Sequence, residues 1–143
     1  MSDFSMFMKK NKKVRENTFY PATKSFVDEN GEPLLWEIRP ITTDEDQRMQ
    51  MECTKEVPIP GKRNQFRQRL DPSAYLAKQA VAAIVYPNLH DAALQDSYGV
   101  KTAEDLLKAM IDNPSEYSDL VAYIREQSGF EAEMSDEVEE AKN

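Results

Sequence analysis

Between Asp71 and Tyr86 apolar residues crowd every side of a helical pattern, with only Lys78 and Gln79 polar inside the run. A helix of that kind has no wide solvated face and must be covered on most sides. This stretch is the predicted buried spine. Asp71 is placed to accept a hydrogen bond from the open N–H groups of the first turn, and Pro72 sits where a missing N–H costs nothing. Pro87 is expected to stop the spine. Asn88 then caps a second, short helix with Asp91 as its reciprocal partner, Leu89, Ala92, Ala93 and Leu94 supply the apolar side, and Gly99 closes it.

The period changes to two between Lys24 and Pro40. An Asn30-Gly31 step tolerates a tight turn, and Leu34, Trp36 and Ile38 share one face while Glu37 and Arg39 take the other, which predicts a β-hairpin. A two-stranded hairpin is marginal alone, so its Trp36 face must pack on helices. Thr18 to Tyr20 offers a further short strand. Thr42 and Glu45 form a capping box for a helix to about Thr54, with Met49 and Cys53 on its inner side. Pro58 and Pro60 then argue for irregular chain up to Leu70. Thr102 caps a helix striped by Ala103, Leu106, Leu107, Met110 and Ile111. Asn113-Pro114 starts another, with Tyr117, Leu120, Val121 and Ile124 inside and Gly129 at its end.

These elements predict an α+β, mainly helical single domain, with an N-terminal β-hairpin packed on a bundle of about five helices. Residues 1–15 read as a flexible basic and aromatic arm, 16–130 as the globular body, and 131–143 as a disordered acidic tail. A chain of 143 residues with 40% hydrophobic content is large enough for one core without disulfides or metals.

Charge sharpens this division. The net charge is −8, and the tail concentrates it in Glu131, Glu133, Asp136, Glu137, Glu139 and Glu140 against Lys142. The body is nearly balanced, and its cations are scattered, which argues against nucleic acid as the partner. No hydrophobic run reaches the ~18 residues of a membrane span and no signal-peptide core follows Met1, so a cytosolic protein without membrane attachment is expected.

Candidate chemistry is sparse. His90 is the sole histidine and Cys53 the sole cysteine, which removes two-histidine and cysteine-rich metal sites. Each of the four glycines has a turn or cap explanation, leaving no phosphate-binding loop. His90 reads as a surface residue, Cys53 as a half-buried one, and Asp44, Glu45 and Asp46 as first-turn charge that favours the helix dipole. No constellation asks for a reaction, a metal or a cofactor.

Two stretches suit binding instead. Phe4, Phe7 and Met8 stand at helical spacing before Lys9, Lys10, Lys12, Lys13 and Arg15. They fit either a terminus folded back on the core or an arm that lays its apolar face in a partner's groove. Between Val57 and Leu70, Lys62, Arg63, Arg67 and Arg69 surround Phe66. This fits a solvated connection, a basic loop for an acidic partner, or a surface for single-stranded nucleic acid.

Three phrases, FVDENGEPLLWEIRPIT, VPIPGKRNQF and YPNLHDAALQDSYGV, occur in that order. With them, and with similar wording in DFSMFMKKNKK and from LLKAMI to SGF, the chain resembles the XkdN-like tail assembly chaperones of contractile-tailed phages and defective prophages over roughly residues 3 to 130. His90, Ala93 and the acidic tail depart from that pattern. The resemblance implies a non-enzymatic protein of the infected host's cytoplasm. It would hold the tape measure protein soluble, help tail tube subunits collect around it, and be absent from the finished virion. The likeness falls on Trp36, Arg39, Pro58, Pro60, Gly61, Lys62, Arg63, Tyr86, Pro87, Asn88, Gln95, Asp96, Tyr98 and Gly99. The competing classes are a structural tail or baseplate component retained in the particle and a small nucleic-acid-binding regulator.

Overall fold

After two 3₁₀ turns, Ser5–Phe7 and Lys9–Asn11, the computed structural model, which describes residues 3–130, runs through ten regular elements. They are β1 (Thr18–Tyr20), β2 (Trp36–Ile38), α1 (Thr43–Glu52), β3 (Thr54–Pro58), β4 (Phe66–Leu70), α2 (Pro72–Ala83), β5 (Ile84–Tyr86), α3 (Ala92–Ser97), α4 (Ala103–Met110) and α5 (Pro114–Ser128). The fold is α+β, as expected. The acidic tail expected over 131–143 lies outside the described residues.

Asp71 caps α2 through its side chain, accepting from Ala74 N–H, and Pro72 opens the helix. Tyr75, Ala77, Gln79, Ala80, Val81 and Ala83 are buried, and α1, α4 and α5 all pack on α2. The spine therefore forms, but it ends at Ala83 and not at Tyr86. Ile84, Val85 and Tyr86 are β-branched or aromatic, Tyr86 precedes a proline, and the free edge of β2 offers hydrogen bonds. They leave the helix and become β5, pairing antiparallel with β2 at Glu37–Tyr86 and Ile38–Ile84. The Tyr86–Pro87 peptide is cis.

The short helix also starts later than its sequence suggests. Asp91 is the N-cap, accepting from Leu94 N–H at 2.8 Å, while the Asn88 carbonyl oxygen of the side chain accepts from His90 N–H at 3.0 Å. Asn88 thus shapes a turn and does not cap the helix. Leu89, between them, is buried.

The hairpin between Lys24 and Pro40 is present in reduced form. A turn at Asp28–Gly31, one bridge between Val27 and Pro33, and a Leu34 N–H to Phe26 C=O bond of 2.8 Å close it. Beyond Leu34 the second arm changes partners: β2 lies between β1 and β5 in a three-stranded antiparallel sheet. Trp36 and Ile38 enter the core as expected, but Leu34 is exposed because it sits outside that ladder. The suggested strand at Thr18–Tyr20 is β1. Its Tyr20 ring stacks on Tyr123 of α5 at 4.1 Å, and Tyr123 Oη donates to Thr18 Oγ1 at 2.6 Å, fastening the sheet to the helices.

The capping box of α1 forms in full, with Thr42 and Glu45 exchanging hydrogen bonds. Cys53 is buried more deeply than half, and burial raises its thiol pKa. The largest departure follows it. The segment expected to be irregular is a second hairpin, β3 with β4, paired over five positions from Thr54–Leu70 to Pro58–Phe66. Pro58 is tolerated because it lies at the end of an edge strand. Gly61 and Asn64 take positive φ in the turn, closed by an Ile59 N–H to Gln65 C=O bond of 3.0 Å. Asp71 N–H donates to Cys53 C=O at 2.8 Å and ties the hairpin's base to the body.

Helices α4 and α5 carry the predicted caps, Thr102 and Asn113, and bury Leu106, Leu107, Met110, Leu120, Val121 and Ile124. Gly129 ends α5 in the left-handed region, at φ 93°. No described helix is long and apolar enough to cross a membrane.

Candidate interaction surfaces

The N-terminal arm stands off the core. Phe4 is 65% exposed, Phe7 83% and Met8 55%, in 3₁₀ turns and not the single helix that their spacing suggests. No described residue of this arm before Arg15 is buried. Arg15 attaches it to the body: Nη1 donates to Ser128 C=O at 2.7 Å and Nη2 to Ile41 C=O at 3.0 Å. A guanidinium on a last-turn carbonyl of α5 also suits the negative end of the helix dipole.

The second hairpin separates residues that lie together in sequence. Side chains alternate across a strand, so Arg67 and Arg69 share a face with Val57 and Lys55, opposite which they pair. Phe66 falls on the other face with Gln68 and Glu56, while Lys62 and Arg63 sit in the turn. Lys55 is drawn to Asp71, at 3.9 Å. A stacking platform for nucleic-acid bases needs the aromatic beside the cations, and here the sheet's pleat puts Arg67 and Arg69 on the side opposite Phe66. An open depression lined by Gln47, Gln50, Met51, Thr54 and Gln68 lies where α1 meets this hairpin, with no titratable side chain in its wall.

A third surface was not legible in the periodicity. Across the three-stranded sheet, Phe19, Glu37 and Tyr86 stand in one row, directed away from the core. Phe19 and Tyr86 are both exposed, as is Leu35, and Asn17 Nδ2 donates to Glu37 Oε2 at 2.8 Å. The arm runs directly into β1, so its apolar residues and this row belong to neighbouring chain. The signal missed was that Leu35, Glu37 and Phe19 take the non-core parity of strands whose inner parity is Trp36, Ile38 and Tyr20.

Beneath these surfaces, polar side chains lock the helices. Asp46, expected to serve as first-turn charge, accepts hydrogen bonds from Tyr75 Oη, from Gln79 Nε2 at 3.0 Å and from Gln50 Nε2 at 2.9 Å. Arg125 Nη1 donates to Gln79 Oε1 at 2.5 Å, which extends the network from α1 through α2 to α5. Burial and the adjoining Asp46 raise the Tyr75 pKa, keeping it a neutral donor. Elsewhere Glu116 accepts from Thr23 Oγ1 at 2.7 Å and from Lys24 N–H at 2.9 Å, and its pKa is lowered by those bonds.

The residues carrying the family likeness are mostly structural. Trp36 is core, and Arg39 grips Glu45 by two parallel bonds, Nη1–Oε1 at 2.9 Å and Nη2–Oε2 at 2.5 Å. Those bonds hold the Glu45 carboxyl down at about 2. Pro58, Pro60 and Gly61 form the end of the second hairpin. Gln95 Nε2 donates to Leu89 C=O at 2.8 Å, and Gly99, at φ 68°, donates to Asp96 C=O, so Pro87, Asn88, Gln95, Asp96 and Gly99 build one buried-leucine turn and its closing helix. Tyr86 and Tyr98 remain exposed.

This arrangement recurs in a solved structure. The crystal structure of the YqbN protein superposes with a TM-score of 0.76 at 25% identity, covering 92% of this chain and 99% of that one. XkdN of the phage-like element PBSX, from Bacillus subtilis strain 168, is 28% identical over 141 residues, spanning 99% of this chain and 94% of its own length. YqbN of the same organism is likewise 28% identical over 141 residues, with 99% and 93% covered. The family model for the phage XkdN-like tail assembly chaperone protein matches residues 4–142, so the likeness continues past residue 130 into the acidic tail. The sheet, both hairpins and all but the outermost residues of arm and tail fall within that match, and the chain belongs to the phage XkdN-like tail assembly chaperone family.

Proposed function

We propose that this chain acts without catalysis, binding the tape measure protein during tail assembly, keeping it soluble and helping tail tube subunits collect around it. It works in the cytoplasm of the bacterial host and is left out of the finished particle. The observation that carries this reading is the arm: Phe4, Phe7 and Met8 are exposed apolar side chains on a basic stem, beside a body whose own core is complete. A long helical client with apolar stripes aggregates unless those stripes are covered, and a holding protein that binds them shifts the client toward its soluble form by mass action. Phe19, Leu35 and Tyr86 extend the apolar surface available to such a client.

The test is co-expression with the tape measure protein of the same genome, followed by affinity capture and size-exclusion chromatography. The tape measure protein is expected in the soluble fraction only with this chain, co-eluting with it, and deletion of residues 1–13 is expected to abolish co-elution. Co-elution unchanged by that deletion overturns the role of the arm. Recovery of this chain from purified particles would mark it as a structural tail component.

A further inference from the structure

We propose that one face of the β3–β4 hairpin docks an acidic helix of another protein, with Arg67, Arg69 and Lys55 gripping carboxylates one helical turn apart. The ladder sorts the hairpin's charges. Lys55 stands directly opposite Arg69, and Arg67 opposite Val57, so the three cations share a face. Glu56, the hairpin's one acid, falls on the other face with Gln68. Lys62 and Arg63 add two cations in the turn. All five are exposed, and among the described residues only Lys55 of the five has an acidic group within ion-pair distance, Asp71 at 3.9 Å.

This register costs the free protein stability. Like charges directly opposite in an antiparallel pair repel, and Asp71 offsets that repulsion on the Lys55 side alone. Arg67 and Arg69 gain no ion pair within the described fold, although the chain as a whole is acidic, at net charge −8. Their spacing is nevertheless fixed. The bond from Asp71 N–H to Cys53 C=O ties the foot of the hairpin to the body, and the bond from Ile59 N–H to Gln65 C=O closes its far end. A rigid row of unpaired cations is already arranged for an anionic partner.

The spacing selects the occupant. Arg67 and Arg69 lie two residues apart on one strand, a rise of about 6.8 Å, and residues four apart on a helix rise about 6 Å. A helix with acids at that interval offers one carboxylate to each arginine. Single-stranded nucleic acid fits less well, because Phe66, the aromatic on which a base could stack, points to the other face. A second copy of this chain also fits less well, since none of the five described helices carries two acids four residues apart. The occupant is therefore another protein, met at a surface separate from the apolar arm.

The probe is an alanine-rich peptide of about 20 residues, long enough to be helical, with Glu at every fourth position, titrated into the isotope-labelled full chain. Amide NMR shifts are expected at Lys55 to Arg69. The affinity should fall at least about tenfold between about 0.1 M and about 1 M salt, as the screening length drops from about 10 Å to about 3 Å. Arg67→Gln with Arg69→Gln should weaken binding by a similar factor. Arg67→Glu with Arg69→Glu should instead bind the peptide in which Lys replaces Glu, and should melt no lower than the parent, because Lys55 then faces an acid. A lower melting temperature makes the arginines structural and overturns the proposal, as do shifts centred on Lys9 to Lys13 or none anywhere. Tighter binding of single-stranded oligothymidylate than of the peptide assigns the face to nucleic acid and overturns it too. So does a dimer in light scattering that either pair of substitutions dissolves, since that is pairing between copies.

Discussion

The two β elements make opposite use of the same hydrogen-bond ladder. The three-stranded sheet has strands of only three residues, yet Trp36, Ile38 and Ile84 bury its inner face against the helices. The β3–β4 hairpin pairs over five positions, and of its ten residues only Thr54, Val57 and Leu70 are even partly buried. Ladder length is therefore a poor guide to where stability resides. Backbone pairing exchanges bonds to water for bonds within the chain at small net gain, whereas burial of large apolar side chains is strongly favourable. The sheet is scaffold, and the hairpin is a surface device fastened at its base.

The largest test of that contrast pairs Trp36→Ala with Phe66→Ala. The first should lower unfolding free energy by about 3–5 kcal/mol, as for a buried aromatic whose removal leaves a cavity. The second should change it by no more than about 0.5 kcal/mol, as for exposed positions. Urea denaturation reads both, and equal effects would erase the distinction.

A smaller effect probes whether polar groups join the scaffold to α1. Asp46→Ala leaves Tyr75 Oη and Gln79 Nε2 buried without their acceptor, an expected loss of about 1–3 kcal/mol. Asp44→Ala, at a side chain about 72% exposed and, among the described residues, paired only with Arg48, should cost under about 0.5 kcal/mol. If the two substitutions match in thermal melts, Asp46 is first-turn charge after all.

The smallest effect is visible through pH. Glu45 has an ordinary carboxyl pKa near 4.5 when unfolded and about 2 when folded, chiefly through the Arg39 hydrogen bonds. A depressed folded pKa gives stability that is fully present above the unfolded value and is lost as pH falls from about 5 toward 2. Both side chains are about one-third exposed, so solvent screening reduces the contribution to about 1 kcal/mol. Arg39→Met should be less stable than the parent at pH 7, with the gap closing by pH 2. A gap that stays constant between those values would assign Arg39 a packing role only.

The sequence was informative wherever one local signal sufficed. Thr42, Asp71, Thr102 and Asn113 each cap the helix their spacing predicts, because a capping side chain needs only N–H groups two or three residues away. It was less informative where two local signals competed. Asn88 and Asp91 both precede the apolar residues of α3, and only the burial of Leu89 between them decides that Asp91 is the cap. The β3–β4 hairpin escaped detection because its strands bury no face, so no apolar alternation marks them, and its prolines gave the contrary signal. The arm's composition was visible from the start; the row Phe19, Glu37, Tyr86 was not, since its members come from three separate stretches.

What the amino-acid sequence determined by itself was the set of helices, the caps of all but α3, the apolar stripes that make one core, and the opposite charges of the two ends. These follow from contacts within a few residues or from composition. Tertiary structure alone decided that Ile84–Tyr86 leave the spine to pair with β2, that Phe66 and the hairpin arginines face apart, and that Arg15 reaches Ser128 across 113 positions of chain. Each of these joins segments far apart in sequence, or depends on which edge or carbonyl remains open once the core has closed, and no local pattern encodes that remainder.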